Sequence, residues 1–151
     1  MNDPHAQAIQ LMTYALMDVF PPTRAIVRVQ CPMRLGESRP FPDFAVVEGT
    51  PRTVVSHPTS ALLVIEVSDT TLDFDRNEKA TLYATHALAE YWIVNLNGRC
   101  IEVRRNPIGK DVGDPRYGEL RVYQATDRVT PLAAPGAALL VSELLPTVGA
   151  P

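Results

Sequence analysis

One acid inside an apolar run constrains this chain more than any other feature. Residues 61–67 read Ala-Leu-Leu-Val-Ile-Glu-Val, a short unbroken apolar segment rich in β-branched side chains. That is the pattern of a strand covered on both faces. Side chains alternate along a strand, so Glu66 shares a face with Leu62 and Val64. An unpaired carboxylate there is costly, which asks for a metal ion, a lysine or hydrogen bonds to neutralise it. Asp43, in the segment Pro-Phe-Pro-Asp-Phe-Ala-Val-Val, and the acids and Lys79 downstream are the nearest candidates. Such a grouping suits a metal site that handles oxyanions.

The rest of the chain reads as helix, strands, helix, strands, which predicts a mixed sheet flanked by helices in one α/β domain, residues 1–151. Residues 3–20 have helical periodicity, with Ala8, Leu11, Met12, Ala15, Leu16 and Val19 on one stripe. Asp3 and Pro4 suit the start of that helix, and Pro21-Pro22 ends it. Strands follow at 25–30 and 43–47, then an exposed loop at 48–59 with two prolines. After the strand at 61–67, a helix is expected from residue 74 or 75 to 87, with Asp75 and Glu78 at capping-box spacing. Strands at 90–95 and 100–105 are joined by the hairpin turn Leu96-Asn97-Gly98-Arg99. A Pro/Gly/Asp-rich loop at 106–118, strands at 119–124 and 137–140, and a helical turn at 141–145 complete the reading.

With 46% hydrophobic and 21% charged residues, the chain has ordinary globular composition. No apolar stretch approaches 18 residues, so neither a membrane span nor a signal peptide is expected. Two cysteines, Cys31 and Cys100, are too few for a disulfide framework or a cysteine metal site, and a reducing, cytoplasmic setting is the expectation. A net charge of −3 gives no general pull toward nucleic acid. Arg99, Arg104, Arg105, Lys110, Arg116 and Arg121 cluster in the second half; a solvated face is the simplest reading and a phosphate-contacting surface the alternative.

If the strands bearing Asp43 and Glu66 are neighbours, their carboxylates lie a few ångströms apart. Two carboxylates completed by water and a phosphate oxygen are a usual way to hold Mg²⁺ or Mn²⁺, and such an ion polarises a phosphoryl oxygen. Lys79 lies about one turn into the following helix. Helical side chains lean toward the N-terminus, so it tilts back toward Glu66. An exposed Asp75–Lys79 ion pair is the alternative, worth about 0.2–0.5 kcal/mol.

The segment Glu-Val-Ser-Asp-Thr-Thr-Leu-Asp-Phe-Asp-Arg-Asn-Glu-Lys, continuing to Glu-Tyr-Trp-Ile-Val-Asn, resembles the Uma-two family of restriction-endonuclease-like proteins. That family belongs to the PD-(D/E)XK nuclease superfamily. The upstream Pro-Phe-Pro-Asp-Phe-Ala-Val-Val and the tail at 122–146 are similar too. The resemblance implies a restriction-endonuclease-like mixed sheet, Asp43 and Glu66 as metal-binding carboxylates, and DNA as substrate. It also implies that Lys79 replaces the superfamily lysine, whose position two residues after the acid is taken here by Ser68. Asp75 matches a family acid and is expected to cap the helix or, with Ser68, to support the ligands. Many members begin with an acid-bearing strand hairpin that is expected to be absent here. Asn95 stands where Asp is common, and Leu88-Ala89 replaces a glycine-containing turn. A homodimer is expected by analogy, because cutting both strands of a duplex takes two sites.

Other polar and aromatic residues have plainer readings. His5 and His57 are expected at the surface, and His86 as a hydrogen-bonded core histidine. Tyr91 and Trp92 are expected in the core, and Ser68 in a turn rather than as a nucleophile. The alternatives to a nuclease are a nuclease-fold module that binds nucleic acid or protein without cutting, and a structural ion network around Glu66.

Overall fold

A computed structural model describes residues 3–148. Helix α1, Asp3–Val19, packs Ala8, Ile9, Met12 and Leu16 into the core. Six strands follow: β1 Ala25–Val29, β2 Phe44–Glu48, β3 Leu63–Ser68, β4 Glu90–Asn95, β5 Cys100–Ile108 and β6 Arg116–Gln124. They form one sheet in that spatial order. All neighbours are antiparallel except β3 and β4, which are parallel. A parallel pair needs a crossover, and helix α2 supplies it. This helix is an α-helical turn Leu72–Phe74, a π-helical segment Asp75–Lys79 and an α-helical segment Ala80–Thr85. The short strands β7, Arg128–Val129, and β8, Leu139–Leu140, pair with each other ahead of helix α3, Val141–Leu144.

Alternation divides the core into two layers. Leu63, Ile65 and Val67 of β3 face α1 and α3, in a cluster with Met12, Leu16, Phe44, Trp92 and Ile101. Val64 faces the other way, with Ala45, Tyr83, Tyr91 and Ile93 beneath α2. Glu66 and Ser68 follow Val64's parity, so the central strand turns one acid and one hydroxyl toward α2. Tyr91 and Trp92 are fully buried on opposite faces of β4.

Three expectations need correction. The helix after β3 begins at Leu72, so Asp75 lies inside it, buried, and caps nothing. The Asp-x-x-Glu spacing mimics a capping box while the first turn is built upstream. Next, β5 and β6 extend into the expected loop, leaving only residues 109–115 between them. Pro107 is tolerated because β4 begins opposite Arg105, so β5 has β6 as its one neighbour there. Finally, β7 pairs with a β8 shortened to Leu139–Leu140. In the β4–β5 turn the left-handed residue is Arg99, at φ 49°, while Asn95 Oδ1 accepts the Gly98 N–H at 2.9 Å.

Candidate active site

The β2–β3 ladder ends at Phe44 opposite Ile65. One step further, the same register sets Asp43 opposite Glu66. Directly opposed residues in an antiparallel pair have Cβ atoms about 4.5–5.5 Å apart and point to the same face. Here the strands part, and side chains replace the ladder. Glu66 Oε1 accepts the Asp43 backbone N–H at 2.9 Å, while Asp43 Oδ2 accepts the Val67 N–H at 2.8 Å. Each strand's backbone therefore clamps the other strand's carboxylate.

Lys79 Nζ lies 2.9 Å from Glu66 Oε2, and the Tyr83 hydroxyl donates to the same oxygen at 3.0 Å. Ser68, two residues along β3, donates its hydroxyl to Asp75 Oδ2, which also accepts from Thr71 Oγ1 at 2.8 Å. The match is one of spacing. Residues 66 and 68 are about 6.6 Å apart along a strand, and Asp75 and Lys79 stand at the two ends of the π-helical segment facing them. Lys79 over Glu66 and Asp75 over Ser68 therefore register two strand positions against four helix positions. The π-helical turn holds both side chains toward β3, and Tyr91 Oη fixes it by donating to the Asp75 carbonyl at 2.8 Å. Lys79 is thus paired with Glu66, while the Asp75 carboxylate is taken up by two hydroxyls.

Burial and charge act against each other at Glu66. Burial pushes its carboxyl above the ordinary 4.5, against the Lys79 ammonium and the Asp43 N–H, while the Asp43 charge adds to the rise. Burial, together with the Glu66 charge, also pushes the Tyr83 phenol far up, so its hydroxyl keeps the proton it donates to Glu66. On the open side, Gln30 Nε2 is 3.4 Å from Asp43 Oδ1. His5 Nε2 lies 3.7 Å from Asp43 Oδ2 with its side chain 20% exposed, rather than free at the surface. His57 is exposed and His86 half-buried, the latter where a Cβ on Gly36 would meet its ring at 3.3 Å.

The donor chemistry fits a small hard divalent ion. Glu66 Oε1 holds one N–H and Asp43 Oδ1 one long contact, so both keep lone pairs for a cation that retains several waters. Among the described residues, no group of three or more His, Cys, Asp or Glu gathers to hold a metal. A structural zinc site does not fit.

Sequence reasoning missed a second polar cluster on the same sheet face. Glu102 of β5 accepts from Arg76 Nε at 3.1 Å and Nη2 at 2.6 Å, from Arg104 Nη2 at 3.2 Å and from Asn95 Nδ2 at 3.3 Å. Burial pushes the Glu102 carboxyl up, but the Arg76 hydrogen bonds and the Arg104 and Arg76 charges outweigh it and hold it below 4.5. The Asn95 contact shows why an amide stands at that position, since an aspartate would press a second charge on Glu102. On the other face, Arg105 pairs with the fully buried Glu90 at 2.7 Å. The expected solvated basic face is therefore corrected at Arg104 and Arg105, both engaged by buried acids. The signal was alternation, because Glu102 and Arg104 share parity with β5's helix-facing side.

Among the described residues no helix is long and apolar enough to cross a membrane. The fold is that of restriction-endonuclease-like nucleases. A crystal structure described as "a putative nuclease" from Anabaena variabilis ATCC 29413 matches with a TM-score of 0.73. It is 17% identical, and the match covers 95% of this chain and 81% of that one. The type IIG restriction endonuclease BpuSI matches at a TM-score of 0.44 and 18% identity, over 67% of this chain and 11% of that one, which is too distant to argue from. No curated protein matches the chain. Residues 1–142 match the Uma2 family, described as "Putative restriction endonuclease", and the chain belongs to that family.

Proposed function

We propose that this protein is a divalent-metal-dependent endonuclease that hydrolyses phosphodiester bonds in DNA. The observation that supports this reading is the opposed pair Asp43 and Glu66 at the point where β2 and β3 part, with Lys79 Nζ 2.9 Å from Glu66. Asp43 and Glu66 would hold Mg²⁺ or Mn²⁺, which supplies polarisation of a phosphoryl oxygen and a lowered pKa for water. Lys79 spends one of its three N–H groups on Glu66 and offers the others to charge developing on the phosphate. Tyr83, held protonated, fixes Glu66 Oε2 without taking a proton. Asp75 and Ser68 would support the site from behind, holding the π-helical turn of α2 on β3 and so aiming Lys79. Two copies, one per strand, would make a double-strand cut.

Incubating supercoiled plasmid with the protein and Mn²⁺ should give divalent-dependent nicking that Glu66→Ala abolishes. Equal residual cleavage by wild type and Glu66→Ala would place the activity elsewhere. One observation favours a second reading, a nuclease-fold module that binds nucleic acid or protein without cutting. Glu66 Oε2 is already engaged by both Lys79 and Tyr83, and that module would show no Mn²⁺ binding at millimolar metal.

A further inference from the structure

We propose that the cavity between α2 and the β5–β6 hairpin binds a phosphoryl oxyanion. It has a volume of about 340 Å³, and its lining includes Arg76 and Thr81 of α2, Arg104 of β5, and Arg116 and Tyr117 of β6. Three arginines line it from three different elements. The acids near them are Glu102, bonded to Arg76 and Arg104, and Asp114, paired with Arg116 at 2.8 Å. The charge of Asp73 also acts on Arg76, so three acids stand near three guanidinium groups and charge is close to balanced.

The donor count makes the case. Each guanidinium has five N–H groups and no acceptor. Glu102 is saturated: Arg76 takes both its oxygens, and Arg104 and Asn95 take one each. Arg104 has a side chain only 10% exposed, and its Nη1 is buried with no hydrogen-bond partner. A buried cationic donor left unmatched costs free energy, and because Nη1 has almost no accessible surface an oxyanion recovers that cost only as the Arg104 side chain turns it into the cavity. A carboxylate would engage one fork in its plane. Donors contributed by three elements suit the several oxygens of a tetrahedral phosphoryl group better.

The position relates this cavity to the active site. Glu66, Ile93 and Glu102 lie in one row across β3, β4 and β5. Glu102 is therefore two strand spacings from Glu66, roughly 10 Å, on the same sheet face. The cavity lies on the far flank of α2. A nucleic-acid phosphate away from the cleavage point and a free phosphate compound share the required chemistry. The cavity stands apart from the nuclease reading, and only the choice between those two sources depends on it.

The test uses protein labelled with ¹⁵N-arginine, titrated with sodium pyrophosphate in the absence of divalent metal, against sodium chloride at matched ionic strength. Saturable shifts of the Arg104 and Arg116 guanidinium signals with pyrophosphate alone are expected. Arg116→Gln, at a side chain 52% exposed, keeps the fold and should weaken binding roughly threefold or more. Arg104→Met should weaken it about tenfold or more, the loss of one charge-assisted hydrogen bond. Shifts that chloride reproduces, or unchanged affinity in Arg116→Gln, would overturn the proposal even if Arg104→Met fails to fold. A short single-stranded DNA that displaces pyrophosphate assigns the site to a backbone phosphate. Pyrophosphate retained beside saturating DNA assigns it to a free phosphate compound, and either result supports the site. Neither arm reads cleavage, so failure here is distinguishable from failure of the nuclease reading.

Discussion

Replacing Lys79 by Met tests whether the lysine chiefly neutralises Glu66. Methionine keeps much of the stem's length while deleting an ammonium 2.9 Å from Glu66 Oε2. Breaking a buried pair costs about 3–5 kcal/mol when nothing remains to solvate the survivor. Glu66 keeps the Asp43 N–H and the Tyr83 hydroxyl, and the Lys79 side chain is 18% exposed. The loss should therefore fall to about 2 kcal/mol at neutral pH, within the range for a hydrogen bond to a charged group. Its sign with pH follows from burial, which already holds Glu66 above 4.5 and which Lys79 opposes. Without Lys79 the carboxyl rises further. An acid with a raised folded pKa contributes most while protonated, below its unfolded value, and that contribution is lost as pH climbs through the folded value. Urea denaturation should show a small deficit for Lys79→Met near pH 4.5 that widens toward pH 8. A deficit independent of pH, or one below about 0.5 kcal/mol at pH 8, would refute the pairing as its cause.

Two further perturbations address the supports on either side. Asp75→Ala strands the hydroxyls of Ser68 and Thr71 and should cost about 2 kcal/mol. Asp75→Asn keeps an acceptor, so it should cost less in the same denaturation assay; equal losses would contradict the acceptor role. Glu102→Gln should lower stability at neutral pH, with the gap to wild type closing on acidification. Glu102 titrates below 4.5 in the fold, so its contribution is present above that value and lost as pH falls through the folded one. Thermal melts across pH would show a widening gap at acid pH if that assignment is wrong.

The central strands were legible because burial leaves a mark on sequence. β4 matches its expected bounds of 90–95, and β3 was displaced only at its ends. Helix geometry left Lys79 open between Glu66 and Asp75, and the structure pairs it with Glu66. The cap reading of Asp75 failed because local spacing mimicked a cap, whereas its partners Ser68 and Thr71 lie on the preceding strand and turn. The π-helical turn left no local sign, since the fit of α2 to β3 and Tyr91 sets it. Tyr83 lies four residues after Lys79, on the same helix face, and that spacing was the available signal that it reaches the same buried acid. Glu102 with Arg76 was hidden because charged residues on a strand after a turn look solvated, and only knowing that α2 covers that face reverses the reading.

The most direct test of the Asp43–Glu66 site is calorimetric titration of Mn²⁺ into wild type, Asp43→Asn and Glu66→Gln. Saturable binding to wild type that both substitutions abolish is the predicted result. Binding of the same strength in either variant, or no binding to wild type at millimolar metal, would contradict the assignment of these two carboxylates.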